Sequence, residues 1–212
     1  MEIFWLGHGC FRLRGREATV VTDPAPPSTG YKIGRVAADI VTISRSQADG
    51  DYRSAISGEP RVISGAGEYD IANVLITGVR TDDEPPAPGA PSRNVAYVID
   101  IDDVRICHLG SIKKRPNADD AEVLGSADVL IVPVGGGDVM DAEAAAETVS
   151  LLEPKLVIPM LYKTEVSTAS LETVDKFLKE MGTEAKAPEP RVAVTRSNLP
   201  ADTTVVLLNY RS

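Results

Sequence analysis

The segment DVLIVPVGGGDVMDAEAAAETVSLLEPKLVIPM, residues 128–160, decides the fold class. It begins with a run of apolar, mostly β-branched residues over 128–134, which predicts a buried strand. An alanine-rich, acidic stretch over 141–152 predicts a helix, and a second apolar run over 155–160 predicts another strand. Apolar residues at three- and four-residue steps over 170–181 predict a further helix. This alternation predicts parallel strands that are covered by helices.

The chain before this segment is a succession of short strands. Runs rich in β-branched residues predict strands over 3–6, 10–13, 19–22, 40–44, 61–64, 74–79, 95–101 and 104–108. The runs in the middle of the chain predict an antiparallel meander, and prolines predict a surface loop over 82–92. Two last strands are predicted over 191–194 and 203–208. We therefore expect one α/β domain over residues 1–212, built either from two sheets between helices or from one large mixed sheet.

The composition is that of an acidic globular protein. Hydrophobic residues make up 43% and charged residues 25%, a balance that allows both a buried core and a charged surface. The formal net charge of −9 disfavours partners held by clustered Lys and Arg, so we expect no nucleic acid and no membrane as partner. No apolar stretch approaches the roughly 18 to 20 residues of a membrane span, and the first residues lack a signal-peptide pattern. We expect a soluble, cytoplasmic protein in which Cys10 and Cys107 are reduced.

Three groups of residues carry a resemblance to a known family. The first is WLGHGCF over 5–11, which leads to TDP over 22–24, and the second is DIVTIS over 39–44 with the polar loop that follows it. The third combines HLGS over 108–111 with VPVGGG over 132–137 and VIPMLYKT over 157–164. In this order the segments resemble the metallo-β-lactamase fold superfamily, most closely its small bacterial branch of zinc-dependent hydrolases, similar to the ascorbate-phosphate lactonase group. The resemblance covers residues 1–208 and implies a four-layer αββα sandwich with its active site where the strand-end loops meet.

The resemblance also implies a set of metal ligands, and this chain departs from it. In the family, a strand like that over 39–44 leads into a His-x-His-x-Asp-His loop. Here the loop is RSQADG, so that Arg45, Gln47 and Gly50 stand at histidine positions and Asp49 alone matches. Asp49 is either a turn residue of an Asp-Gly pair or a carboxylate that the Arg45 guanidinium neutralises in place of a metal.

The other ligand positions differ as well. The loop after the strand over 74–79, which brings a histidine in the family, offers Asp82 here. Ser111 stands where the family has a metal-bridging aspartate, and Leu161 stands where it has its last histidine. Together with the loop over 45–50, these positions form the candidate pocket, and Lys163 beside them is either a pocket cation or a solvated charge.

A count of histidines supports the same expectation without the family. A hydrolytic zinc site needs several imidazoles together with carboxylates. The chain has two histidines, His8 and His108, which are far apart in sequence. We therefore expect no metal and no cofactor, and we predict that both histidines are core or strand-end residues bonded to backbone groups. A nucleophile pair of Ser111 and His108 is the alternative.

A glycine run over 135–137 precedes a predicted helix, where free backbone N–H groups could cradle a phosphate. Asp138 and Asp141 follow it, and their charge would occupy or repel such an anion. Asp141 is better interpreted as the N-cap of the helix.

Three hypotheses about function follow. The first is a non-catalytic binding or assembly subunit, a pseudoenzyme that associates with itself as a homo-oligomer or with an active relative of the same fold. The second is a hydrolase-like enzyme with altered or metal-independent chemistry. The third is a sensor of a small anion, which Arg45 and Lys163 would bind.

Overall fold

The structure is a computed structural model, and it describes residues 1–45, 53–81 and 93–210. In chain order its strands are β1 (Glu2–Gly7), β2 (Cys10–Arg14), β3 (Thr19–Thr22), β4 (Val36–Ala37), β5 (Ile40–Thr42), β6 (Ile56–Ser57), β7 (Arg61–Ile63), β8 (Gly67–Ile71), β9 (Val74–Arg80), β10 (Val95–Ile101), β11 (Val104–His108), β12 (Val129–Pro133), β13 (Leu156–Met160), β14 (Val192–Ala193) and β15 (Thr204–Val205). The helices are α1 (Ala118–Leu124), α2 (Ala142–Leu152) and α3 (Val174–Glu180).

The first sheet has the strand order β14-β1-β2-β3-β5-β7. Strands β1, β2 and β3 are antiparallel neighbours, whereas β3, β5 and β7 run parallel. The tight turn between β1 and β2 needs Gly7, whose φ of +105° is a conformation that side chains rarely adopt. A Cβ at this position would also lie 2.2 Å from the Tyr31 ring, so the turn admits only glycine.

The second sheet has the order β15-β13-β12-β11-β10-β9-β8. Strands β8 to β11 form an antiparallel meander, of which β9, β10 and β11 are the predicted part, and β11, β12, β13 and β15 are parallel. The carboxyl ends of parallel strands from both sheets therefore lie at one edge. These strands are β3 and β5 in the first sheet and β11, β12 and β13 in the second.

The two sheets pack face to face through a continuous apolar core. Trp5 and Phe11 from the first sheet and Tyr97 and Ile99 from the second are at most 1% exposed. Burial of each such side chain contributes about 2 kcal/mol before the entropy cost of folding is subtracted. The Tyr97 hydroxyl donates to the Ile43 carbonyl at 3.1 Å, which joins the second sheet to the end of the first.

Helices α1 and α2 contact the outer face of the second sheet, and α3 packs on α2. The outer face of the first sheet is covered by a smaller apolar cluster that includes Val36 and Ile56 of the β4–β6 ribbon. Asp141 caps α2 as predicted, because its side chain accepts from the Ala144 N–H at 2.9 Å. The two-sheet arrangement of the metallo-β-lactamase fold is thereby confirmed, and the single large sheet is wrong.

Several elements differ from the prediction: β4 and β6 were not predicted, and β15 is shorter than the predicted strand over 203–208. Helix α3 begins at Val174, because the preceding Glu172 is tied to loops: its N–H donates to the Gly135 carbonyl and its carbonyl accepts from the Lys163 N–H, both at 2.7 Å. Strand β8 was not predicted, since its exposed Glu68 and Asp70 hide the apolar alternation. In the described part of the chain, no helix is long and apolar enough to cross a membrane.

Candidate functional site

Of the predicted pocket positions, the described ones, Arg45, Ser111 and Leu161, follow strands β5, β11 and β13 at the edge where the parallel strands of both sheets end. Gln47, Asp49, Gly50 and Asp82 lie outside the described residues. The described residues that meet there form what we call the edge cluster, namely Asp23, Ser44, Asn94, His108, Ser111 and Leu161. It is assembled from the ends of β3, β5, β11 and β13 and from the start of β10.

His108 is fully buried at the end of β11, and both of its ring nitrogens are engaged. Its Nε2 lies 3.0 Å from the Gly9 carbonyl, which can only accept, so Nε2 carries the proton and donates. Its Nδ1 accepts from the Gly110 N–H at 3.3 Å. Burial lowers the pKa of His108, and the nearby Asp23 carboxylate offsets this only in part. The ring is thus a neutral group that ties β11 to the first hairpin.

Asp23 follows β3 in an unusual backbone conformation, with φ at +37°. Its Oδ1 accepts from the Ser44 N–H at 2.6 Å, which fixes the end of β5. Its Oδ2 lies 4.0 Å from Nδ1 of His108, too far for a hydrogen bond. The side chain is 16% exposed, so this carboxylate is the acidic group of the edge cluster that reaches solvent.

Asn94 holds the loop after β11 in place. This fully buried residue donates from Nδ2 to the Leu109 carbonyl at 2.9 Å, and its Oδ1 accepts from the Ser111 N–H at 2.8 Å. Gly110 between them has φ at +62°, and a Cβ there would lie 2.5 Å from Cβ of Ser44. The loop is therefore clamped between the two sheets. The structure shows no hydrogen bond between Ser111 and His108, whose ring nitrogens bond backbone groups instead.

Leu161 follows β13 at the position where the family has a histidine. Its φ of +53° lies in the left-handed region, which costs a leucine about 1 to 2 kcal/mol. The side chain is 4% exposed and belongs to the main core cluster. The backbone at this point packs so closely against Gly135 that a Cβ on Gly135 would lie 2.0 Å from the Leu161 carbonyl oxygen. The position at which the resemblance implies a histidine ligand thus presents an apolar side chain to the interior.

The remaining candidates lie around this cluster. His8 sits in the β1–β2 turn with φ at +55°, and burial lowers its pKa to about 4. Its ring lies 6.4 Å from the Tyr31 ring, measured between centroids. Lys163 is exposed, and its ammonium donates to the Ser167 carbonyl at 2.9 Å. Arg45 follows the end of β5, close enough to Asp138 to contribute to lowering the pKa of that carboxyl.

Asp23 and Asn94 are members of the edge cluster that the sequence did not predict as site residues. Asp23 does lie in the segment TDP over 22–24, one of those that carry the resemblance, where the Asp-Pro pair favours a turn. Asn94 carries no such signal, because its partners at 81, 109 and 111 are brought together only by the fold.

Within the described ranges, no group of three or more His, Cys, Asp or Glu residues could hold a metal ion. Two surface cavities, of about 280 and 350 Å³, share Leu75 and Asp100 and lie toward the opposite ends of the strands of the second sheet. Neither cavity includes a residue of the edge cluster.

Known proteins of similar sequence and structure share this architecture. Residues 2–161 match the profile of the beta-lactamase superfamily domain. A UPF0173 protein of Pyrococcus furiosus is 28% identical over 202 residues, covering 85% of this chain and 90% of that protein. A relative in Pyrococcus horikoshii, named a metal-dependent hydrolase, is 29% identical over 197 residues, covering 77% of this chain and 85% of that protein.

Among solved structures, a Thermotoga maritima protein of the metallo-β-lactamase superfamily is 32% identical and superposes with a TM-score of 0.81. The match covers 98% of this chain and 97% of that one. The profile match spans well over half of the sequence, and the structural match spans nearly all of it. This chain therefore belongs to the metallo-β-lactamase superfamily.

Proposed function

We propose that this chain has lost the metal-dependent chemistry of its superfamily and serves as a non-catalytic binding or assembly subunit, either with itself or with an active relative. The observation that carries the proposal is the state of the ligand positions. The last histidine position holds Leu161, which is packed into the core, and the bridging position holds Ser111, whose backbone is bound by Asn94.

The donor set at this edge does not fit a zinc ion, in so far as the residues are described. Zinc sites of the hydrolytic type use imidazole nitrogens that are free to coordinate. Both nitrogens of His108 are used in hydrogen bonds to the backbone, and His8 is the one other histidine of the sequence. Asp23 supplies a carboxylate, but one carboxylate without imidazoles binds a transition metal weakly.

The scaffold around these positions supports a role in binding over a damaged enzyme. Glycine at position 110 avoids the collision that a side chain would cause there. The Asn94 side chain accepts a hydrogen bond from the Ser111 N–H, and the Asp23 carboxylate accepts one from the Ser44 N–H. These contacts maintain the shape of the edge. Of the three residues, Asp23 is the one whose side chain could bind a metal. A protein that keeps the shape and lacks the ligands retains the capacity to bind.

The second candidate function is a hydrolase with altered chemistry. The name of the P. horikoshii relative, a metal-dependent hydrolase, favours it, because that protein matches 77% of this chain. In such an enzyme Asp23 would act beside Arg45 without a metal, since both follow adjacent strands of the first sheet.

The deciding experiment measures metal content after purification without chelators, with the P. horikoshii relative purified in the same way as the control. We expect this chain to contain far less than one zinc or iron per molecule. Added zinc should leave the melting temperature unchanged, whereas a site saturated at 1,000 times its Kd would stabilise the fold by about 4 kcal/mol. Stoichiometric zinc or iron would overturn the proposal.

A substrate screen separates the two candidates. Phosphoesters, lactones and β-lactams are tested with the wild-type chain, Asp23→Asn and Arg45→Gln. Hydrolysis that both substitutions abolish would favour the enzyme. A homo-oligomeric mass by light scattering, or a complex with an active relative, together with no hydrolysis, supports the binding subunit.

A further inference from the structure

Three tyrosine rings surround the one tryptophan of the sequence. The Trp5 side chain is 1% exposed, and its ring centroid lies 5.1 Å from that of Tyr162, 5.9 Å from that of Tyr210 and 6.1 Å from that of Tyr31. The rings of Tyr31 and Tyr210 also contact each other, at 5.2 Å between centroids. These separations are those of aromatic rings in direct contact. An electron that moves between Trp5 and any of these tyrosines therefore crosses one short gap.

The phenols around Trp5 differ in their hydrogen-bond partners. The Tyr210 hydroxyl donates to Oε1 of Glu165 at 2.7 Å, and both residues lie at the surface, Tyr210 half-buried and Glu165 exposed. The Tyr31 hydroxyl shares a 2.7 Å hydrogen bond with the Thr164 hydroxyl, and its side chain is 2% exposed. A carboxylate accepts a proton far more readily than a hydroxyl does. Of these two phenols, Tyr210 is the one whose proton has a base to receive it.

In the resting protein this proton belongs to the phenol. The hydrogen bond with Glu165 raises the pKa of Tyr210 to about 12 and lowers the pKa of the Glu165 carboxyl. Loss of an electron reverses the order of the two groups, because an oxidised phenol is a strong acid. Its proton then has one hydrogen bond to cross, from Oη of Tyr210 to Oε1 of Glu165.

We propose that this chain relays a one-electron oxidation of Trp5 to Tyr210, whose phenolic proton passes to the Glu165 carboxylate. A one-electron oxidant first removes an electron from the indole and leaves a radical cation. The indole keeps its N–H, because Nε1 donates at 3.0 Å to the His8 carbonyl, which is not a base. An electron then moves from Tyr210 to the indole and restores Trp5. The O–H bond of Tyr210 breaks, and the products are a neutral tyrosyl radical and a protonated Glu165.

The relay moves the oxidised site from the core to the surface. Trp5 is out of reach of a diffusible reductant, whereas Tyr210 lies partly in solvent. A thiolate reductant there supplies one electron and becomes a thiyl radical, and the proton returns from Glu165 to the phenol. The relay is independent of the binding role proposed above and of any metal.

The experiment photoionises Trp5 in the full chain. Light at the long-wavelength edge of protein absorption, where tyrosine does not absorb, acts on this residue alone because the sequence has one tryptophan. Persulfate captures the ejected electron, and transient absorption follows the indole radical and the tyrosyl radical. We expect the indole radical to decay as the tyrosyl radical appears. Heavy water should slow this decay, because a proton is transferred in the same step.

Matched variants separate Tyr210 from the other rings that contact Trp5. Tyr210→Phe keeps the ring and removes the phenol, so we expect loss of the tyrosyl signal and a longer-lived indole radical. Glu165→Gln keeps a hydrogen-bond acceptor without the base, so the indole radical should decay more slowly than in the wild-type chain. Tyr31→Phe removes a phenol that lies at nearly the same distance from Trp5 but bonds to a hydroxyl, and it should leave both signals unchanged.

The melting temperature of each variant establishes that it is folded, and electron paramagnetic resonance of freeze-quenched samples identifies the tyrosyl radical. An unchanged tyrosyl signal in Tyr210→Phe would overturn the relay, and so would an equal loss in Tyr31→Phe. A decay in Glu165→Gln as fast as in the wild-type chain would overturn the role of Glu165 as proton acceptor. None of these outcomes depends on metal content, so the relay and the non-catalytic role fail separately.

Discussion

Acidification should destabilise this protein through His108, which is fully buried, and His8, which is half-buried, and His8 allows the effect to be measured. Burial lowers the pKa of His8 to about 4, from an ordinary value of 6.5. Between these two values the unfolded chain binds one proton more than the folded chain. The free energy of unfolding therefore falls as the pH falls, by up to about 1.4 kcal/mol per pH unit.

The size of the loss follows from this shift. Well above pH 6.5 the ring is neutral in both states and contributes almost nothing to the pH dependence. Lowering the pH from 7 to 5 should cost about 1 to 2 kcal/mol through His8. His108 acts with the same sign, because burial lowers its pKa too. The total loss should therefore exceed the part due to His8.

The matched variant is His8→Asn. Asparagine accepts the left-handed backbone of this turn, where φ is +55°, and it does not titrate. Urea unfolding is followed at pH 7 and pH 5 by the fluorescence of Trp5, the one tryptophan of the sequence, which is 1% exposed. EDTA in all samples removes any contribution from metal release.

We expect the variant to lose about 1 to 2 kcal/mol less than the wild-type chain between these pH values. Groups other than His8 cancel in this difference, because both proteins contain them. An equal loss in both proteins would refute the claim that the folded chain keeps the His8 ring neutral at pH 5.

Two further predictions test the packing of the edge and of the core. Gly110→Ala should lower the free energy of unfolding by about 3 kcal/mol, because the new methyl would lie 2.5 Å from Cβ of Ser44. The control is Gly34→Ala, where φ is +66° and no atom lies within 4 Å of the new methyl. This control should lower the free energy of unfolding by only about 1 kcal/mol. Equal effects of the two substitutions in urea unfolding would contradict the close packing of the loop. Cys10 and Cys107 should both resist a thiol reagent at pH 8 and react on denaturation, because burial raises the pKa of both thiols, that of Cys107 to about 12. A thiol that reacts quickly in the native protein would contradict their burial.

The sequence predicts the strands and helices where local pattern and burial agree. The run over 129–133 is apolar at every position because the strand is covered on both faces, so it is recognisable without any tertiary information. The start of α2 is equally predictable, since Asp141 caps the helix through a contact three residues away. By contrast, α3 begins late because Glu172 bonds to Gly135, which is distant in sequence.

The candidate site is less predictable, because its geometry depends on contacts between distant segments. His108 bonds to the carbonyl of Gly9, 99 residues away, and no local pattern encodes that pairing. The left-handed backbone of Leu161 is also invisible in sequence, since leucine rarely adopts it and a close approach to Gly135 accompanies it. The sequence does predict the shortage of imidazoles, because its two histidines can be counted without a structure.

The way the edge is held is compatible with the loss of metal ligands that we propose. Asp23, Asn94 and His108 each bond to backbone groups, so the strand ends are tied by contacts that no metal supplies. In a site organised by the metal itself, removal of the ligands would leave buried polar groups unpaired, at about 1 to 3 kcal/mol each. Here that cost does not arise at these three residues. For the same reason, a single Leu161→His substitution should not restore metal binding: the new imidazole would enter an apolar core and meet no second free imidazole, because both nitrogens of His108 are already bonded.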